Sequence, residues 1–475
     1  MVFSSFIFLF YFLPATLLAY FVVPHRLKNL ILILASLFFY TWGEPRFVMI
    51  LLSLCTLDFL AGLAIRHSGP KTARTILTIS ILISVAALGY FKYANFFIHE
   101  VNRAASVFGF GHIKWHKVVL PIGISFFTFH KISYVVDVFR GVRQPARSPI
   151  DFLLYILFFP QLIAGPIIRY HEIEEQLRKR PTKLEDIFEG LVIFSIGLAK
   201  KVLIADVAGH TADQVFGLKF GVLSPSHAWL GLIAYTAQIY FDFSGYSDMA
   251  TGLARVFGFH FPRNFNYPYL ARSFTDFWHR WHMSFGRWMR EYLYIPLGGN
   301  RVSVARQYMN LWIIFLFSGF WHGAEWTFVL WGIWHGFFMT LERLFLGRWL
   351  ERLPIVVQTL LTLFFVMLSR VLFRAETIKQ AGWYFTRLVS SHDLRSYVPW
   401  SNVTSRHEVF IIILAYAICL WPLIPGAEAL LKRLGGGIPL AAQTMLRGAS
   451  ALLLPLLSVI ALAGTDFSPF IYFQF

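Results

Sequence analysis

His322 stands between Trp321 and Gly323 in the run GFWHGAEWTFVLWGIWHG (319–336), with apolar sequence on both sides. Apolar surroundings disfavour a charged imidazolium. A neutral imidazole within reach of a hydroxyl is a competent general base. Gly323 omits a side chain next to it, which leaves room for a substrate. The structural alternative is a buried histidine that joins two helices through a hydrogen bond. His335 lies further along the same run. On a continuous helix it falls about 220° round and ~20 Å along from His322, so a structural or interfacial role away from His322 is expected.

A second histidine, His282, lies in FWHRWHMSFGRWMREYLYIPLGGNR (277–301). His279 is three residues earlier, so on a helix the two share a face. As a metal pair they lack a third ligand at a usual spacing, and no metal site is expected. One reading is an amphipathic interfacial helix. Arg280, Arg287 and Arg290 would face lipid phosphates, and Trp278, Trp281 and Trp288 would anchor it. The sharper reading sets His282 and the arginines at the mouth of a pocket for an anionic donor, since Arg suits phosphate. The segment YFDFSGYSDMATGL (240–253) carries Asp242, Ser244, Tyr246 and Asp248 around Gly245. Its carboxylates are expected to pair with arginines downstream, and Gly245 to permit a break. PIGISFFTFHKISYVVD (121–137) sets His130 and Lys131 in an apolar run, and FFPQLIAGPIIRY (158–170) suits a broken helix beside a cavity.

Such polar residues need a scaffold, and the composition says which. Of 475 residues 57% are hydrophobic and 14% charged, against roughly 25% charged in soluble domains. Most of the outer surface must therefore face lipid. Apolar runs recur at about 5–23, 28–42, 47–65, 75–91, 118–139, 150–168, 187–209, 223–243, 308–321, 323–346, 355–373, 408–423 and 448–464. Several are shorter than the ~20 residues of a straight span, which leaves about 11 true spans. Lipid admits helices for a chain so poor in alternating patterns. The expected fold is all-α: a polytopic membrane protein, one domain over 1–475, with re-entrant or interfacial helices. The stretch 169–186 reads as a surface helix, 240–308 as short helices on or in the bilayer face, and 375–407 and Gly435–Gly437 as longer loops. The first apolar run reads as a retained membrane helix.

The net charge of +17 reflects Lys and Arg in short loops, not nucleic-acid binding. Arg26 and Lys28, then Arg66, Lys71 and Arg74, then Arg140, Arg143 and Arg147 fall in odd-numbered loops. That orients those loops to the cytoplasm and the N-terminus outside. Cys55 and Cys419 lie in apolar runs without partners at metal-ligand spacing. Physical reasoning alone leaves an acyltransferase, a lipid-sugar transferase, a transporter or an interaction platform open.

These strings in this order, together with GYFKYANF (89–96), NFNYPYLARS (264–273), LFRAE (372–376) and the final FIYFQF, resemble the bacterial branch of the membrane-bound O-acyltransferases, and within it the alginate O-acetylation type. The resemblance covers the whole chain. It implies a helical membrane fold around a central tunnel. It implies that an acetyl group arrives as a cytoplasmic thioester, with acetyl-coenzyme A as donor and no bound cofactor, and leaves on an acceptor hydroxyl at the far side. His322 matches the family's essential histidine and His282 its second polar position. Asp242, Tyr246, Arg280 and Trp321 are the candidate substrate-pocket residues. Periplasmic acetyltransferase partners in a polysaccharide-modification complex, and a place in the bacterial inner membrane, follow from the same resemblance. Alginate, cellulose and other exported glycans remain open as acceptors.

Overall fold

A computed structural model describes residues 1–392, 394–424, 426–427, 439–464 and 470. Among these residues all regular structure is helical. Among the described residues five helices are long and apolar enough to cross a bilayer: Pro45–His67, Pro70–Val107, Ile355–Arg374, Arg406–Leu423 and Ala441–Ala463. Phe8–Val22 is a shorter apolar helix. They turn large apolar side chains outward, Met49, Leu82, Ile413 and Leu452 among them. Water would penalise such faces and lipid does not. The chain is an integral membrane protein.

Several boundaries differ from those expected. The run at 75–91 is the middle of a longer helix, which starts at Pro70, a favoured first helical residue, and passes through a π-helical turn at Gly89–Tyr93. The run at 118–139 becomes helical only at Ile124. Gly123 before it has φ 77°, and a Cβ there would stand 2.6 Å from the Leu162 carbonyl oxygen. Within 375–407 a helix forms at Ile378–Val389, its first turn capped by the Thr377 hydroxyl. Polar residues on one side of an amphipathic helix had concealed it. The Gly435–Gly437 stretch lies outside the described residues.

The chain divides into two compact units, Met1–Ile187 with Leu253–Pro262, and Phe188–Gly252 with Arg263–Phe475. In the first, Phe3, Phe8, Phe12, Phe39 and Phe159 pack as one aromatic cluster. Lys131 forms a buried ion pair with Asp58 at 3.0 Å. His130 accepts the Ile168 N–H through Nε2 at 3.1 Å. Both polar residues thus hold the unit together. The broken helix expected at 158–170 is present: Pro149–Leu157 gives way to Phe159–Leu162 and then to non-helical chain up to Tyr170–Arg178. Residues 154–170 are all buried, which is where membrane proteins tolerate irregular backbone. At its edge Asp186 takes hydrogen bonds from Arg255 and His260, each at 3.2 Å. Burial pushes this carboxyl up, and the two bonds outweigh it, so the group lies below the usual carboxylate range.

The helix Pro225–Val256, which lies in the second unit as far as Gly252, runs unbroken through Gly245, where a glycine was read as permitting a break. A Cβ on Gly245 would stand 2.7 Å from the Gly197 carbonyl oxygen, and one on Gly252 would stand 2.5 Å from that of Gly190. The glycines let two helices touch backbone to backbone, as small residues do in membranes. Gly319 and Gly332 do the same between Val304–His322 and Trp326–Leu341.

Candidate active site

His322 is the last residue of the helix Val304–His322 and is 4% exposed. The chain leaves it extended at Gly323 and turns back into Trp326–Leu341. A Cβ on Gly323 would meet the Phe328 ring at 2.1 Å. The omitted side chain therefore makes room for Phe328, not for a substrate. The reversal also overturns the expected separation of His335. Trp331 meets His322 at 4.9 Å on one side and His335 at 4.7 Å on the other. His335 does take a structural position: its Nε2–H donates to Ser369 Oγ at 3.2 Å, because the Ser369 proton already goes to the Val366 carbonyl.

His282 is 1% exposed and begins the short helix Met283–Met289 with φ 46°, ψ 52°. This left-handed conformation is uncommon for a residue with a Cβ. Asn264 holds it there. The Asn264 side-chain oxygen accepts the Ser284 N–H at 3.2 Å and the Ser284 hydroxyl at 2.8 Å, while its carbonyl accepts the Met283 N–H at 2.8 Å. A backbone N–H can only donate, so the amide orientation is fixed. His282 Nδ1, 3.2 Å from that same oxygen, must then carry the proton. In the neutral ring Nε2 presents a lone pair, and it is buried with no hydrogen-bond partner among the described residues. Asn264 was not singled out in the sequence; its signal is the string NFNYPYLARS.

The helix before it, Phe274–Arg280, ends ahead of an extended Trp281. His279 and His282 therefore do not share a helix face: His279 is exposed and His282 buried. Trp281 and Trp288 are also buried, so they are core residues, not interfacial anchors. Trp281 packs on Phe265 and Phe277, with the Arg370 guanidinium 4.5 Å over its ring.

The two histidines flank one aromatic stack. Phe285 and Trp321 lie 4.4 Å apart at 22°. His282 is 5.1 Å from Phe285 and 6.2 Å from Trp321. His322 is 6.1 Å from Phe285 and 4.7 Å from Trp321. Tyr246 joins less directly, stacking on Phe470, which also meets Phe243 beside His282. Asp242 pairs with Lys201 at 2.6 Å, a lysine upstream and not one of the arginines expected. Arg280 bonds Asp276 at 2.7 Å and the Asn266 carbonyl at 3.4 Å, which braces the loop that carries Asn264. Thus Trp321, His282 and His322 converge, while Asp242 and Arg280 are held by ion pairs of their own. Among the described residues no group of three His, Cys, Asp or Glu could hold a metal ion.

Fold and site define a helical membrane protein with a histidine pair walled by aromatic rings. Residues 142–371 match the MBOAT, membrane-bound O-acyltransferase family. The chain is 38% identical to the probable alginate O-acetylase AlgI of Azotobacter vinelandii over the full length of both. It is 37% identical to the peptidoglycan O-acetyltransferase of Helicobacter pylori, over 80% of this chain and 78% of that one. With the teichoic acid D-alanyltransferase of Bacillus subtilis it shares 29% identity over 49% of this chain and 62% of the other. The chain belongs to the membrane-bound O-acyltransferase family, and it is an O-acyltransferase.

Proposed function

We propose that this enzyme moves an acetyl group from acetyl-coenzyme A, bound from the cytoplasm, to a hydroxyl on the far side of the inner membrane, toward O-acetylation of an exported polysaccharide. Full-length similarity to an alginate O-acetylase makes alginate the first acceptor to test. The similarity to a peptidoglycan O-acetyltransferase keeps another exported glycan as the second. Periplasmic acetyltransferase proteins would complete the modification.

The observation that carries the mechanism is the pair of buried imidazoles across the Phe285–Trp321 stack. His322 takes the proton of the acceptor hydroxyl as its oxygen attacks the thioester carbonyl. The carbon–sulfur bond then breaks, the thiolate takes up a proton, and an ester and free coenzyme A thiol remain. His282 presents a lone pair at Nε2, so in its neutral form it accepts from a hydroxyl and cannot donate there to a carbonyl. This supports a role in orienting the acceptor. The aromatic walls keep water from competing for the acyl group.

The test uses purified protein in nanodiscs with labelled acetyl-coenzyme A, with and without candidate acceptors. Donor-dependent release of coenzyme A should fall by at least about a hundredfold in His322→Ala, the scale of a lost general base, with donor binding retained. Equal rates in wild type and variant would make His322 structural.

A further inference from the structure

Trp331, on the helix Trp326–Leu341, is 1% exposed and is held by four rings. His335 lies 4.7 Å from it, His322 4.9 Å, Phe373 5.3 Å and Trp278 5.8 Å. Its indole N–H is buried with no hydrogen-bond partner among the described residues. An indole N–H can only donate, and a buried one normally finds an acceptor. Others in this protein do. Trp334, three residues on in the same helix, donates to the Phe365 carbonyl at 3.2 Å, and Trp229 donates to the Leu388 carbonyl at 2.9 Å. An acceptor stands close to Trp331 as well. With its Nε2–H given to Ser369, His335 carries a lone pair at Nδ1, which also has no partner among the described residues. The packed rings hold the Trp331 N–H away from it. Two more buried donors close by have no partner among the described residues: the Trp278 N–H, and the Ser318 hydroxyl one helical turn before His322. The unpartnered groups round His322 are thus mostly donors, the character of a site for a carbonyl oxygen.

We propose that the Trp331 indole N–H donates to the thioester carbonyl oxygen and stabilises the oxyanion of the tetrahedral intermediate. The assignment rests on the acyl-transfer reading and adds a catalytic residue to it. Neither histidine fills this role: His322 takes the acceptor's proton, and His282 presents a lone pair at Nε2. A base and a donor whose rings lie 4.9 Å apart can serve the attacking oxygen and the carbonyl oxygen of one carbon. As the acceptor oxygen bonds to that carbon, its proton passes to His322 and the carbonyl π pair moves onto the oxygen facing Trp331. When the pair returns, the carbon–sulfur bond breaks and His322 gives its proton to the thiolate. The indole N–H keeps its proton throughout. A donor fixed in advance in a dry site needs no reorientation as the charge develops.

The test replaces Trp331 by β-(3-benzothienyl)alanine, introduced site-specifically into the full-length protein in nanodiscs. Sulfur takes the place of the N–H while the bicyclic ring keeps its shape. Trp331→Phe is the second variant. With labelled acetyl-coenzyme A, kcat should fall at least about a hundredfold in both, the scale of one lost oxyanion donor, and with every acceptor tried. Donor binding, measured without acceptor, should stay at the wild-type level. The benzothienyl variant should melt at or above the wild-type temperature, because a buried donor without a partner disfavours folding. A wild-type kcat in that variant overturns the proposal. So does a joint fall in its rate, donor binding and melting temperature, which is the mark of a packing role. His322→Ala separates this assignment from the reading beneath it. If that change abolishes turnover and the benzothienyl variant keeps it, the general base stands and the role of Trp331 falls. If His322→Ala turns over like wild type, the acyl-transfer reading falls and this assignment falls with it.

Discussion

Asn264 decides which nitrogen of His282 is basic. Its side-chain oxygen collects three donors, and one of them is a backbone N–H that permits no other orientation. A histidine poised this way depends on its orienting partner as much as on itself. Asn264→Ala leaves Nδ1 of a buried ring without an acceptor and frees both the tautomer and the left-handed backbone at His282. It should lower kcat by at least about tenfold, since tautomer control of a catalytic histidine is worth that much or more. The KM for donor should stay within about twofold, because His282 is proposed to act on the acceptor. Asn264→Asp retains the acceptor oxygen and should recover much of the rate. An Asp variant as slow as the Ala variant would show that the asparagine is needed for something other than its oxygen. His322, His282 and Trp321 were legible because ionisable and aromatic residues in apolar sequence require a reason. Asn264 was not, because an asparagine in a loop is an ordinary turn residue. Its role exists only once residue 264 is folded against residues 282–284.

At the scale of elements, composition announced helices and a membrane, while periodicity misjudged where they bend. The sequence divides its apolar runs at His322, into 308–321 and 323–346, but the distance from His322 to His335 was read along a continuous helix. The reversal shows only when Phe328 occupies the space over Gly323. Gly245 misled in the opposite sense. A glycine in a polar segment suggests a break, yet here it marks a crossing where the helix is straight and its neighbour close. The difference is testable. Gly245→Leu must push against the Gly197 carbonyl, which is backbone and cannot rotate away. It should destabilise the protein by about 1–3 kcal/mol, the usual cost of overpacking. It should also loosen the nearby Asp242–Lys201 pair. Gly382→Ala, in the helix Ile378–Val389 with nothing within 4 Å of its Cβ position, should be neutral or slightly stabilising. Thermal unfolding in detergent measures both. Equal melting temperatures for Gly245→Leu and wild type would mean that the crossing tolerates a side chain.

For the molecule as a whole, the distribution of charge sets the orientation to be tested. Arg26, Lys28, Arg66, Lys71, Arg74, Arg140, Arg143 and Arg147 lie in alternate connections of the first unit. Asn29 bonds the Asp151 carboxylate at 2.8 Å and the Leu177 carbonyl at 2.9 Å. The first basic connection is thereby tied to the chain just past the third, so the two share one end of the unit. At the other end, Asn95 bonds the Val118 carbonyl within the segment that carries Lys114 and Lys117. By the positive-inside rule the excess of Lys and Arg at the first end makes the cytoplasm its expected side, the side from which the donor is proposed to bind. Arg26, Lys114 and Arg147 are all exposed, so single cysteines at these positions report sidedness, with Cys55 and Cys419 buried in the background. An impermeant maleimide should label Arg26→Cys and Arg147→Cys in inside-out vesicles and not in spheroplasts, and Lys114→Cys in the reverse pattern. Labelling of Arg26→Cys from outside would invert the orientation. The donor would then have to enter from the opposite end, and the direction of acetyl transfer proposed above would fall with it.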